Sequence, residues 1–382
     1  MSQPDSALPH LCLVAPAMYP VLAGSRNLPV VGGAEVQQAI LARAFRAEGY
    51  PVTVLSWDYG QPETCEVDGI RVCRIPAAEG GMPGIRFLHP RLTALWDAME
   101  HAGADIYYQR CAGGYTGAAA AFARRRRRRF VYAAAHDHDL LPGHGNILAS
   151  WRERQIYAYG LRRADAVVVQ NPTQARSYRQ WMGRQAVMIP SCHAPPPGAA
   201  ADSEGCVLWV GMMRAWKRPE LFLELARRLP RLRFRMVGGP SLEPHERECY
   251  TRIEREAGLL PNVEFIGFVP YADIDRHFDA ARVFVNTSAA EGFPNTFLQA
   301  WARGMPTLSF LDCGARDDAG EIGLRAEGID DMARELQTLM ERDDAWLGRG
   351  ARCRRHFASR HSVQAAACAY RRLFRALLER QA

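Results

Sequence analysis

Short apolar runs alternate with longer amphipathic segments along this chain, and that alternation constrains the fold more than any other feature. Leu11-Cys12-Leu13-Val14-Ala15 and Val52-Thr53-Val54-Leu55 are two such runs, and between them Val36, Ile40, Ala44 and Phe45 recur at helical spacing. Further strands are predicted over residues 105–108, 130–134, 166–170 and 187–190, with helices over 116–128, 149–163 and 173–182. Repeated strand–helix units of this length predict an α/β fold with a parallel sheet covered on both faces. Residues 191–205 interrupt the pattern with Pro195-Pro196-Pro197 and a tail of small residues, the composition of a linker. The alternation then restarts. Strands are predicted over 206–210, 234–237, 263–266 and 283–286, with a helix over 219–229 and another from 297 to 303.

At 382 residues the chain has room for two such domains. The expected division is a first Rossmann-like domain over 1–190, a linker over 191–205, a second over 206–360, and a final helix over 361–382 that is a candidate to pack back on the first. Two α/β halves joined this way would leave a cleft where the carboxyl ends of both sheets face one ligand.

Apolar runs fall far short of a membrane span. Residues 1–11 lack a basic stretch followed by a long apolar core, so no secretory leader is expected. The ten cysteines include no CxxC pair, which argues against a zinc ribbon or redox motif and predicts reduced thiols in a cytoplasmic protein. Net charge is +7, with six consecutive arginines from Arg124 to Arg129. No aromatic-interleaved platform accompanies them, so no nucleic acid partner is expected. Attraction to a lipid surface, placing the protein at the inner face of the membrane, weighs evenly against a simple solvated helix end.

Three loops carry the chemistry. Glu291-Gly292-Phe293-Pro294-Asn295-Thr296-Phe297-Leu298-Gln299 follows a predicted strand and opens a helix, the way α/β proteins present backbone N–H groups to phosphates. Pro294 is expected at the first helical position, where its missing N–H leaves nothing unpaired. Asn295 and Thr296 would then direct donors and the positive end of the helix dipole at an anion. Glu291 cannot serve that anion and suits a hydroxyl-rich partner such as a sugar. The second loop, residues 211–219, leaves a strand through Gly211 and carries Arg214 and Lys217, two cations suited to a diphosphate. The third, Gly32-Gly33-Ala34-Glu35, lies between the first strand and first helix and departs from GxGxxG, which lowers the odds of a nicotinamide or flavin site.

A fourth segment, Ala133 to Asp139, includes His136-Asp137-His138-Asp139. Asp137-x-Asp139 would bind a divalent metal in a GT-A glycosyltransferase, but that reading leaves Lys217 and Glu291 without a role. Helical metal phosphohydrolases need more histidines at set distances. His136 is expected at the cleft edge of the first domain, with His138, Asp139 and His144 in solvated loops.

Through Gly32 to Glu35, the Gly211 to Pro219 loop with Lys217, and Glu291-Gly292-Phe293-Pro294, the chain resembles the family-4 retaining glycosyltransferases of the GT-B fold, over nearly its whole length. The resemblance implies two Rossmann-like doubly wound domains facing a cleft and transfer of a sugar from UDP-sugar or GDP-sugar, with no metal required. It implies that Glu291 holds donor-sugar hydroxyls, that His136 lies near the same sugar, and that the position of Gln299 meets the nucleotide ribose. That position is a second glutamate in the family; here an amide replaces the charge. An arginine often follows the loop glycine, and here Met212 does, with Arg214 as its replacement. The acceptor is expected to be a carbohydrate or a lipid-linked sugar, as in bacterial polysaccharide or glycolipid synthesis. First-domain loops over 18–28 and 143–146 would contact it. A nucleotide-sugar epimerase and a catalytically silent nucleotide-sugar-binding protein are the competing readings.

Overall fold

β1 (Leu11–Val14) is fully buried and sits near the middle of a sheet whose strands cross from helix to helix, so its four residues are apolar on both faces. This is a computed structural model of the chain, and it describes residues 8–25, 32–76, 92–142, 148, 150–194, 205–241 and 246–380. The described residues divide into two compact units, one within 8–25, 32–191 and 363–380, the other within 192–362.

In unit 1, β1 is followed by α1 (Tyr19–Leu22), α2 (Gly33–Ala47), β2 (Val52–Trp57), β3 (Thr64–Val67), β4 (Ile70–Ile75), α3 (Thr93–Ala102), β5 (Ile106–Arg110), α4 (Gly114–Arg125), β6 (Arg129–Ala133), α5 (Trp151–Arg163), β7 (Ala166–Val169), α6 (Pro172–Met182) and β8 (Val187–Met188). The strand order is β3-β4-β2-β1-β5-β6-β7-β8, parallel throughout except for the β3–β4 hairpin. The hairpin and α3 are additions to the sequence-based reading. Asp68 and Gly69 turn the hairpin with φ of 53° and 74°, the pair of left-handed residues a tight two-residue turn demands.

α4 and α5 approach unusually closely because each offers a glycine at the crossing. A Cβ on Gly117 would sit 2.2 Å from the Ile156 carbonyl oxygen, and one on Gly160 would sit 2.7 Å from the Thr116 carbonyl carbon. Backbone cannot yield as a flexible side chain does. Gly117→Ala is therefore expected to cost about 1–3 kcal/mol by overpacking, read as a lowered thermal midpoint; an unchanged midpoint would show that the helices separate freely.

Unit 2 runs β9 (Cys206–Val210), α7 (Pro219–Arg228), β10 (Phe234–Val237), α8 (Arg247–Ala257), β11 (Val263–Gly267), α9 (Asp275–Asp279), β12 (Ala281–Asn286), α10 (Asn295–Ala302), β13 (Thr307–Ser309), β14 (Arg316–Asp317), β15 (Gly320–Glu321), β16 (Leu324–Arg325), α11 (Ile329–Glu341) and α12 (Asp343–Arg360). Its main sheet has the order β11-β10-β9-β12-β13-β16, all parallel, and β14–β15 form a small hairpin. The last helix, α13 (Val363–Glu379), belongs to unit 1. Phe45 on α2 meets Tyr370 and Phe374 edge-on at 5.6 and 5.5 Å, and Tyr108 and Tyr370 share a hydroxyl contact of 3.3 Å. Residues 195–204 of the expected linker, His144 and residues 143–146 of the expected acceptor loops lie outside the described residues. No described helix is long and apolar enough to cross a membrane.

Candidate functional site

β9 and β12 are neighbours in the middle of the unit 2 sheet, so the loops leaving their carboxyl ends lie side by side. This topology brings residues 211–218 against residues 287–291. The Ala289 N–H donates to the Trp216 carbonyl at 2.8 Å, and the Thr287 hydroxyl donates to the Lys217 carbonyl at 2.8 Å. Trp209 Nε1 in turn donates to Thr287 Oγ1 at 3.0 Å, tying the seam to the core. Arg218 takes a left-handed φ of 49°, which ends a short turn over Ala215–Lys217 and starts α7 with Pro219 next. Its guanidinium donates to the carbonyls of Thr287 and Ser288 at 2.7 and 3.1 Å, contacts that hold a backbone conformation unfavourable for any residue with a Cβ.

The same seam places Lys217 Nζ in an ion pair with Glu291 Oε1, both side chains less than one-fifth exposed. Lys217 also lies over the Trp216 ring at 4.6 Å, and Ser288 Oγ donates to Glu291 Oε1 at 2.9 Å. A cation and an acid from two separate loops thus converge at one sheet edge, each held by a second neighbour. Gly238 shapes this edge from below: a Cβ there would fall 1.8 Å from the Gly211 carbonyl oxygen. Gly238, Thr287 and Ser288 support the site and were absent from the sequence reading; Trp216 and Arg218 lie within the 211–219 loop it singled out, but without a role of their own. Only the Gly238-Gly239 pair after a strand carried a local signal for it.

Arg214 lies elsewhere on this loop. Its Nε is 3.4 Å from Glu246 Oε2, with both atoms buried and neither making a hydrogen bond. Pro294 is the residue before α10 and has ψ of 119°, so the helix starts at Asn295 rather than at the proline. Asn295 and Thr296 are the first two helical residues, at the positive end of the dipole. Phe293 turns inward, at 5.8 Å from Trp301 and 5.0 Å from His361, so its ring is core and only its backbone belongs to the loop. Gln299 is 4% exposed, and its Nε2 is buried without a hydrogen-bond partner.

In unit 1 the carboxyl edge gathers a second group. Gly32 precedes α2, and a Cβ on it would meet Glu35 Oε2 at 2.1 Å, so the glutamate folds back over the glycine. Burial pushes the Glu35 carboxyl above its usual range, offset in part by its own backbone N–H and by Arg110. Gly33 is exposed as the first residue of α2. Arg110, at the end of β5, is buried and donates to Ser191 Oγ at 3.3 Å. Cys111 beyond it has φ of 76°, a strained value at a strand exit.

His136 caps the short turn Asp137–Leu140, its Nδ1 accepting the His138 N–H at 3.2 Å. Asp139 corrects the expectation of a solvated loop. It is buried, and its Oδ2 accepts the N–H groups of Ala135 and His136 at 2.7 and 3.1 Å and the Tyr132 hydroxyl at 3.3 Å. Asp137 Oδ1 accepts from Asn171 and Gln174 at 3.1 and 2.9 Å. Both aspartates of the Asp-x-Asp pair are thus engaged in holding the loop.

Residues 32–192 match the family described as glycosyl transferase 4-like domain, and residues 204–342 match glycosyl transferases group 1. Among curated relatives, a lipopolysaccharide 1,6-galactosyltransferase of Salmonella typhimurium is 30% identical over 205 residues, 50% of this chain and 51% of that protein. A D-inositol 3-phosphate glycosyltransferase of Geodermatophilus obscurus is 30% identical over 191 residues, 45% of this chain and 41% of that protein. The chain therefore spans about half, or less, of the length of the curated relatives it matches. Among solved structures, sucrose-phosphate synthase of Thermosynechococcus elongatus superposes with a TM-score of 0.78 at 18% identity, covering 97% of this chain and 99% of that one. Anabaena HepE with UDP and glucose gives 0.73 at 17%, covering 96% and 99%. With two parallel-sheet units, both family matches and these GT-B neighbours, the chain belongs to the group 1, family-4 glycosyltransferases of the GT-B fold.

Proposed function

We propose that the protein transfers a sugar from UDP-sugar or GDP-sugar to an acceptor hydroxyl, with retention and without a metal. The observation that carries this reading is the Lys217–Glu291 pair at the carboxyl edge of β9 and β12. Departure of a diphosphate from an anomeric carbon builds negative charge on the bridging oxygen while the sugar becomes oxocarbenium-like. Lys217 supplies fixed positive charge for the first, aided by the α10 dipole, and Glu291 accepts hydrogen bonds from sugar hydroxyls. In the resting site the two neutralise each other, so an arriving donor redirects Lys217 to phosphate and Glu291 to the sugar. Arg214 is the second cation of this proposal, drawn from Glu246 toward the diphosphate, and His136 contacts donor hydroxyls. The relatives named above act on lipopolysaccharide and inositol phosphate, and HepE binds UDP; these support a nucleotide-sugar donor and a glycolipid or polysaccharide acceptor. The engaged states of Asp137 and Asp139 speak against those residues as a metal pair.

Incubation with UDP- and GDP-sugars, with product anomers read by NMR, tests the proposal. Slow release of nucleotide diphosphate and a retained anomer with acceptor are expected. A new sugar isomer without acceptor would identify an epimerase, and binding with neither reaction a silent binding protein.

Gln299 gives a separate check. An unpartnered buried amide destabilises the empty protein and is satisfied once a ribose hydroxyl reaches it. Gln299→Met is expected to raise stability of the empty protein by about 1 kcal/mol while shrinking the thermal shift given by UDP or GDP. A full nucleotide shift in that variant would remove Gln299 from the ribose contact.

A further inference from the structure

The six-arginine run does not belong to the site just described. It joins the end of α4 to the start of β6, at the amino-terminal edge of the unit 1 sheet, whereas Gly32 and His136 lie at the carboxyl-terminal edge. At this edge Arg124, Arg127, Arg128, Arg129 and Arg163 line a hollow of about 390 Å³ together with Asp165. Part of the charge is spent internally. Arg128 pairs with Asp105 at 2.7 Å and Arg129 with Asp165 at 3.0 Å, while Asp165 also accepts the Phe130 N–H at 2.8 Å. Arg124 and Arg163 add positive charge at the rim that neither Asp105 nor Asp165 offsets.

Two observations separate this hollow from an ordinary solvated helix end. Arg129 Nε is buried in the wall with no hydrogen-bond partner, an oriented donor lacking an acceptor. Arg124 and Arg163 carry no acid partner among the described residues, Arg163 lying only over the Tyr159 ring at 5.9 Å. Guanidinium groups around a concave wall fit the oxygens of a phosphate, which they bond in pairs. Ala120, Ala123 and Phe130 line the same hollow, giving it an apolar side that a bare inorganic ion does not use. Exposed Arg125 and Arg162 extend the positive charge beyond it along the same edge.

We propose that this edge of unit 1 docks on an anionic lipid surface, with one lipid phosphate seated in the arginine hollow. Spread of charge over the edge favours a surface bearing many phosphates over a single soluble anion. The proposal is independent of the sugar-transfer reading, because no residue of the hollow takes part in that chemistry.

The test is sedimentation of the full chain with phosphatidylcholine vesicles, with and without phosphatidylglycerol, at 0.15 M salt, a condition under which nonspecific attraction is screened beyond about 8 Å. The variants are Arg124→Glu/Arg163→Glu and a charge-matched control in unit 2, Arg231→Glu/Arg233→Glu. The wild type and control are expected to sediment with the phosphatidylglycerol vesicles only, and the hollow variant to bind at least tenfold more weakly. Release of nucleotide diphosphate from donor sugar should be equal in all three, which also shows that the variant folds. Equal weakening of both variants would reduce the effect to net charge and overturn the proposal. So would displacement from vesicles by millimolar inorganic phosphate alone, which would make the hollow a soluble-anion site, or binding of a single-stranded oligonucleotide in preference to vesicles.

Discussion

Replacing Lys217 by alanine is expected to lower kcat for sugar transfer by ~10²–10³ while the protein remains folded. A unit charge about 4 Å from a phosphate oxygen interacts by roughly 4 kcal/mol at an effective dielectric near 20. Only the part gained as charge builds on the leaving diphosphate accelerates the step, so the loss is smaller than the full interaction. The variant also leaves the mostly buried Glu291 carboxylate beside Ser288 with its cation removed. Some loss of stability follows from that alone, because an acid drawn from water needs its partner. Lys217→Ala/Glu291→Gln separates the effects: it removes the orphaned charge and restores the thermal midpoint, yet transfer stays low. Restored transfer in the double variant would show that Lys217 serves only to neutralise Glu291.

Glu291→Gln is expected to lose turnover to a comparable degree, ~10²–10³, with nucleotide diphosphate binding retained or tightened. The carboxylate is assigned to donor-sugar hydroxyls, and the amide cannot match its charge as the ring becomes cationic. With its resting partner neutralised, Lys217 becomes more available to phosphate. The two variants therefore diverge in binding while converging in turnover. Calorimetry with UDP and GDP distinguishes them. Weakened nucleotide binding by Glu291→Gln would place the acid at the nucleotide instead of the sugar.

Much of this arrangement was legible in the sequence because parallel strands buried on both faces are continuous apolar runs. β1, β7, β9 and β12 stand within a residue or two of their expected positions for that reason. The β3–β4 hairpin was missed because its strands are only half-buried and read as polar, although Asp68-Gly69 marked its turn. α8 is mostly exposed and dominated by charged residues; its short apolar stripe of Cys249, Tyr250, Ile253 and Ala257 does recur at helical spacing, and it was passed over.

The site divides the same way. Loop chemistry identified Lys217 and Glu291 as candidates, but only the adjacency of β9 and β12 brings them into contact. The inward turn of Phe293 could not be read, since an aromatic residue after a glycine serves core and ligand equally well. Asp139 was read as solvated because a carboxylate in a polar run usually is. Its burial depends on Tyr132 and on two N–H groups from the turn it closes. Arg218 illustrates the limit from the other side: its role lies in carbonyls 69 and 70 residues further along.

On the proposed function, the seam between the two loops of unit 2 grips a diphosphate through Lys217. Isothermal titration of wild type and Lys217→Ala with UDP, UMP and uridine, and with the guanosine series, tests it most directly. The preferred base should bind wild type more tightly as each phosphate is added, and the variant should lose that gain while keeping its affinity for the nucleoside. Equal diphosphate affinity in the two proteins would contradict the assignment.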